Sequence, residues 1–181
     1  NHVLDFSAYD HILFLIVLAV VFSFNQWKKV LWLVTLFTIG HSVTLALSAF
    51  GILKVRMDLI EFLIPGTIFI TGTFNIFTAK KSSSGKQNTN LIFAVFFGLI
   101  HGLGFSNYFK MMVGKEEDKL FPLLEFALGI EAAQIIIVLG IIICGTLLQN
   151  FFRVSKRDWV LVSSSIVIGF AIQMMMDRVF W

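Results

Sequence analysis

The chain has 181 residues, of which 57% are hydrophobic and only 14% are charged, whereas about a quarter of the residues in a soluble domain are charged. This composition, with a mean hydropathy of +0.88, predicts a membrane protein. The single cysteine excludes a disulfide framework and a cysteine-based zinc cluster. The net charge of +3 does not indicate nucleic-acid binding, because the basic residues lie in short segments between apolar runs, where they determine topology.

Six apolar runs follow one another along the chain, and each approaches the roughly 20 residues that a helix needs to cross a bilayer. We predict helices over residues 9–24, 29–50, 59–79, 90–110, 120–149 and 158–178. Strands are not predicted, because no alternating ten-residue pattern recurs and an open sheet would leave backbone groups unpaired in lipid. The predicted fold is all-α: a polytopic bundle of about six transmembrane helices in the lipid bilayer, forming one domain over residues 1–181. Because the chain starts at Asn1 and not at Met, we expect residues upstream of Asn1 to be missing.

The Lys and Arg residues between the runs fall on two alternating faces of the predicted bundle. One face holds eight of them: Lys28, Lys29, Lys80, Lys81, Lys86, Arg153, Lys156 and Arg157. The other face holds six: Lys54, Arg56, Lys110, Lys115, Lys119 and Arg178. The positive-inside rule then predicts that the first face is cytoplasmic and that both termini lie outside.

Four histidines occur in the chain, and none of them lies in a polar loop between predicted helices: His2, His11, His41 and His101. An ionisable side chain within a bilayer costs a few kcal/mol on insertion scales, so each one is a candidate functional residue. Two of them lie about nine residues, or roughly 13 Å, from the outer ends of their helices. Glu131 lies about eleven residues from the outer end of the fifth helix. The second, fourth and fifth helices are therefore expected to carry imidazole, imidazole and carboxylate at comparable depth.

Asp10 and His11 add a carboxylate and an imidazole at the outer end of the first helix, and His2 precedes them. Imidazole together with carboxylate suits borderline divalent ions such as nickel, cobalt, zinc and iron. The absence of a Cys or Met pair beside the histidines argues against a Cu(I) site. We therefore predict an intramembrane site for a divalent transition metal, with its ligands drawn from His2, Asp10, His11, His41, His101 and Glu131.

Small and hydroxylated residues surround two of the histidines. Gly98 and Gly102 form a GxxxG pair around His101, which predicts close approach of another helix. Thr38 and Thr44 lie three positions on either side of His41, and we expect their hydroxyls to hydrogen-bond its imidazole and select its tautomer.

Structural roles are the alternative to metal binding. A single intramembrane histidine often hydrogen-bonds a carbonyl or hydroxyl of a neighbouring helix. Glu131 shares a helix face with Gln134 three residues later, so the pair can also form one half of a polar network between helices. Four histidines predicted in one half of the bilayer favour the metal site over these alternatives.

Four segments in succession resemble one family of small membrane proteins: Tyr9–Leu15, Thr35–Leu45, Phe97–Phe105 and Leu128–Gln134. Together they resemble the HupE/UreJ family, over nearly the whole chain. The resemblance implies a polytopic bacterial inner-membrane protein that is associated with hydrogenase and urease gene sets and acts as a permease for nickel, or for nickel and cobalt. It also implies functional roles for His2, Asp10, His11, His41, His101 and Glu131, which match the family's His, Asp and Glu positions.

Two functions remain open at this point. The first is secondary uptake of a divalent transition metal, with nickel or cobalt as the transported substrate, and in that case the protein is not an enzyme. The second is an intramembrane zinc hydrolase or transferase, acting on a lipid or a membrane-anchored substrate through metal-activated water. Self-association and an accessory partner protein are both left open.

Overall fold

The computed structural model of the protein describes residues 7–79, 87–113 and 119–180. These residues form six α-helices, and they contain no strand. The helices are α1 Ser7–Ala19, α2 Trp27–Ala49, α3 Met57–Thr78, α4 Gln87–Val113, α5 Leu120–Phe151 and α6 Lys156–Asp177. The predicted all-α class and the order of six helices are confirmed.

Apolar helices with lipid-compatible surfaces identify a multi-pass membrane protein. Four segments in the described residues are long and apolar enough to cross a bilayer: Phe24–Ala49, Met57–Thr78, Leu120–Phe151 and Lys156–Asp177. Large apolar side chains such as Trp32, Phe77 and Ile136 are more than 60% exposed on the outside of the bundle. Such a surface would be an aggregation liability in water but is stable in contact with lipid tails.

The first helix is shorter than the sequence predicts. α1 ends at Ala19 and not near residue 24, and a short 3-10 turn over Phe24–Gln26 leads into α2. The backbone N–H of Ser23 donates to Oε1 of Gln26 (3.3 Å), which stabilises this turn. The 13 residues of α1 extend about 20 Å. Phe14 and Val17 are fully buried, because α1 packs against α3, α5 and α6 together.

Glycines bring α2 and α4 unusually close together, and these two helices have the most extensive contact in the bundle. A Cβ atom added at Gly98 would lie 2.3 Å from the carbonyl oxygen of Phe37, and one at Gly102 would lie 2.2 Å from that of His41. Gly40 on α2 faces the backbone of Val95 in the same way. The close approach predicted from the GxxxG pair is confirmed, and it holds His41 and His101 on adjoining backbones.

Contacts between loops agree with the predicted division into two faces. Nζ of Lys156 donates to Oγ of Ser23 (3.0 Å), which joins the start of α6 to the segment before α2. At the opposite end, Lys119 donates to the carbonyl of Ala49 (3.3 Å). Four of the lysines used in the prediction lie outside the described residues: Lys80, Lys81, Lys86 and Lys115. Which face is cytoplasmic stays a prediction.

Candidate metal site within the helix bundle

Three histidines from three helices converge near the predicted outer half of the bundle. The ring centre of His11 on α1 lies 5.8 Å from that of His41 on α2 and 5.2 Å from that of His101 on α4. His41 is 1% exposed and His101 is fully buried, while His11 is half-buried. Two imidazoles that bind one ion through nitrogens at about 2.1 Å have ring centres about 5 Å apart. The His11 ring is therefore near the separation that shared ligation requires from both the His41 ring and the His101 ring.

Phenylalanine rings enclose the three imidazoles. His101 contacts the rings of Phe14 and Phe37, with centres 5.1 Å and 5.3 Å apart. The ring of Phe126 on α5 lies nearly parallel to His41 at 6.4 Å, and Phe105 lies 6.3 Å from both His11 and His41. An apolar enclosure lowers the local dielectric constant, so the interaction between an imidazole and a cation is stronger here than in water.

The tautomer of His101 follows from its contact with α3. The Thr67 hydroxyl donates its only proton to the carbonyl of Ile64 (2.7 Å), and its oxygen also lies 3.2 Å from Nε2 of His101. With the hydroxyl proton on the Ile64 carbonyl, the tautomer that satisfies this contact carries the hydrogen on Nε2 of His101 and donates it to Thr67. This leaves Nδ1 of His101 unprotonated, and that nitrogen is buried with no hydrogen-bond partner among the described residues. Such a nitrogen is a ready metal ligand.

The expectation that Thr38 and Thr44 hydrogen-bond the His41 imidazole is wrong. Thr44 donates across the helix contact to the carbonyl of Leu99 (2.8 Å), and Thr38 donates to Oε1 of Gln134 on α5 (3.0 Å). The close packing of α2 on α4 puts a carbonyl within reach of Thr44, so its hydroxyl bonds there and not to the ring. Nε2 of His41 is buried, with no hydrogen-bond partner in residues 7–79, 87–113 and 119–180.

Asp10 lies beside the histidine cluster but is already paired. Asp10 is buried, and its Oδ2 accepts from Nη1 of Arg178 at 3.0 Å. Arg178 follows the last residue of α6 and also donates to the carbonyl of Glu61 on α3 (3.2 Å). The sequence prediction treated Arg178 only as a topological charge, because a residue 168 positions away along the chain gives no local signal of this pairing.

Glu131 lies in a polar seam between α2 and α5. Its Oε1 accepts from Thr35 (2.8 Å), and Gln134 accepts from Thr38 in the same seam. The alternative prediction of an interhelical network at Glu131 and Gln134 is therefore confirmed. Thr35 precedes His41 by six residues, or about 9 Å along α2. The hydrogen-bond partner of the carboxylate therefore lies more than one helical turn from His41, whereas the sequence predicts a common depth for Glu131 and the imidazoles.

The converging histidines do not form a closed metal site. In the part of the chain that the structure describes, no group of three or more His, Cys, Asp or Glu side chains is arranged to hold a metal ion. His2, a predicted ligand, lies outside the described residues. Sequence reasoning missed Thr67, because it is one of four threonines in α3 and nothing in its local sequence distinguishes it from the other three.

Comparison with known sequences places the whole chain in one family. The family described as "HupE / UreJ protein" matches residues 1–178. Neither the curated proteins nor the solved structures contain a significant match to the chain. The family match covers all six helices and every histidine discussed above, so this chain belongs to the HupE/UreJ family.

Proposed function

We propose that this protein is a secondary uptake transporter for a divalent transition metal, with nickel or cobalt as its substrate. The observation that carries the proposal is the convergence of His11, His41 and His101 within an apolar enclosure. In this proposal Asp10, Glu131 and His2 are further ligands along the route of the ion. The protein lies in the inner membrane of a bacterium, with both termini outside.

The chemistry of the three imidazoles supports a divalent transition metal as the substrate. Neutral imidazole nitrogens bind nickel, cobalt and zinc well, whereas alkaline-earth ions prefer oxygen ligands. His101 presents Nδ1 and His41 presents Nε2 without a hydrogen-bond partner among the described residues. Each nitrogen can therefore bind a cation without first breaking a hydrogen bond, which lowers the barrier to ligation.

The open set of imidazoles among the described residues suits an ion that has to leave again. Conduction through a membrane protein requires binding that is favourable enough for entry but weak enough for release. Two or three imidazoles with residual water on the ion meet that requirement better than a closed four-ligand site, which holds a metal as a permanent structural or catalytic group. The open arrangement of the histidines thus favours transport over tight retention.

The α2–α5 seam supports a direction for the onward path. Thr38 and Gln134 lie one turn from His41, and Thr35 and Glu131 lie one turn further. Beyond them, the buried apolar side chains of Val34, Val138 and Ile142 pack together and close the bundle. We infer that the ion passes from the histidines to Glu131, and that this apolar cluster has to open before the ion is released inward.

Nickel accumulation in proteoliposomes tests the proposal directly. The purified protein is reconstituted, and uptake of radioactive nickel is followed over a range of concentrations. The metal content of the protein is measured in parallel by mass spectrometry. Saturable accumulation above that of empty liposomes is expected. One tightly held zinc per chain without accumulation of nickel or cobalt would contradict transport and would favour an intramembrane metalloenzyme.

Replacing Thr67 by valine is expected to weaken nickel binding by about 10-fold to 100-fold, the usual effect of losing a group that orients a metal-binding histidine. Valine has the shape of threonine but cannot accept the Nε2–H of His101, so the ring loses its preferred tautomer. Isothermal titration of the purified protein with nickel measures the change. Thr146→Val is the matched control, because that hydroxyl bonds only within α5, to the carbonyl of Ile142. Equal affinities in the two variants would contradict the assignment.

A further inference from the structure

Arg178 and Asp10 form a nearly buried ion pair next to the histidine cluster. Nη1 of Arg178 lies 3.0 Å from Oδ2 of Asp10, and the two side chains are 17% and 4% exposed. The same guanidinium nitrogen donates to the carbonyl of Glu61. The pair therefore connects α1 and α3 to the end of α6 at one mouth of the bundle.

Asp10 is only half satisfied by this contact. Its second oxygen, Oδ1, is buried and has no hydrogen-bond partner among the described residues. A buried carboxylate with one unsatisfied oxygen, adjacent in sequence to a candidate ligand, is poised to accept a second cation.

We propose that Arg178 is a tethered cation which occupies the Asp10 carboxylate until an arriving divalent ion displaces it. This inference rests on the proposed function, since the displacing ion is the one that then reaches His11, His41 and His101. In the exchange, the guanidinium leaves Oδ2 and the dication takes its place as the counter-charge of the carboxylate. Charge is therefore never left uncompensated on Asp10, and a doubly charged ion competes better than a monovalent one.

The position of Arg178 permits such an exchange. Arg178 lies just beyond α6, which ends at Asp177, so its side chain can move outward without breaking helical hydrogen bonds. Its partial exposure means that the released guanidinium can be hydrated. Asp10, by contrast, is on α1 and is held by packing on the surrounding helices, so the carboxylate stays and the guanidinium moves.

A purely structural ion pair predicts a different outcome for the same variants. Removing Arg178 leaves a buried carboxylate without a partner, which is destabilising for any buried pair. If the pair only fastens the helices together, this loss should disturb the neighbouring histidines and weaken nickel binding. If Arg178 competes with the ion, its removal should tighten nickel binding although the metal-free protein becomes less stable.

Nickel affinity of the full chain in lipid nanodiscs distinguishes the two roles. Titration with nickel chloride is compared for the wild type, Arg178→Gln, Asp10→Asn and the double variant. We expect Arg178→Gln to bind nickel about tenfold more tightly than the wild type, because a nearby positive charge is removed and an anionic ligand is released. The double variant should bind no more tightly than Asp10→Asn alone. Unchanged or weaker binding by Arg178→Gln, or an equal gain in the double variant, would overturn the inference.

Arg178→Lys is the second test variant, to be used if Arg178→Gln does not fold. Lysine retains the charge but lacks the planar guanidinium that contacts Asp10 and Glu61 together, so we expect nickel affinity about threefold above wild type. Affinity at or below that of the wild type would overturn the inference. His101→Ala in the same series keeps the two proposals apart. If nickel affinity falls in His101→Ala but does not rise in the Arg178 variants, the proposed function stands and the role of Arg178 as a tethered cation is rejected.

Discussion

Alanine in place of His101 is expected to abolish saturable nickel uptake and to lower nickel affinity by at least about 100-fold. The imidazole is the most enclosed of the three, and its Nδ1 is the nitrogen that the Thr67 hydrogen bond leaves unprotonated. Alanine provides no ligand, and an ion in the low-dielectric enclosure would lose a direct bond that water cannot replace without rehydrating the site. The same change at His41 is expected to have a similar effect.

Isothermal titration and proteoliposome uptake measure both variants under the same conditions. Cys144→Ala is the control, because Cys144 is an exposed thiol on α5, and it should bind and transport nickel as the wild type does. Thermal unfolding without metal shows whether the alanine variants remain folded. Full binding by folded His41→Ala and His101→Ala proteins would reject the histidine cluster as the site.

Alanine in place of Gly102 is expected to destabilise the bundle by about 1–3 kcal/mol, the usual effect of inserting a methyl group into a closely packed contact. The added Cβ would lie 2.2 Å from the carbonyl oxygen of His41 and 2.3 Å from the hydroxyl of Thr44. Neither helix backbone can give way locally, so α2 and α4 have to separate. Separation would also displace His41 relative to His101 and weaken nickel binding.

Gly140→Ala provides the matched control on α5, because a Cβ there would meet no atom within 4 Å. Alanine favours helix over glycine by about 1 kcal/mol, so the control should be as stable as the wild type or slightly more stable. Thermal unfolding in the same detergent compares the two variants. Equal melting temperatures would show that α2 and α4 tolerate a wider spacing than their glycines indicate.

Hydropathy and residue identity alone were sufficient to predict the class of protein and the main candidate metal-binding residues. The bilayer requires about 20 apolar residues per helix and internal satisfaction of the backbone, so six runs of apolar residues were sufficient to predict six helices. The high cost of ionisable groups in lipid marked His11, His41 and His101. The GxxxG spacing of Gly98 and Gly102 was sufficient to predict a close helix contact.

Only the tertiary structure decided which side chains meet. The rotation and vertical offset of a transmembrane helix depend on packing against its neighbours and not on its own sequence. For this reason the sequence did not reveal that Thr67 supports His101, that Arg178 pairs with Asp10, or that Thr44 bonds to α4 and not to His41. Nor did it show that Glu131 bonds to Thr35, well below the imidazoles. Three histidines at similar depth could have faced lipid or different neighbours, and the close contact of α2 with α4 and the central position of α1 bring them together.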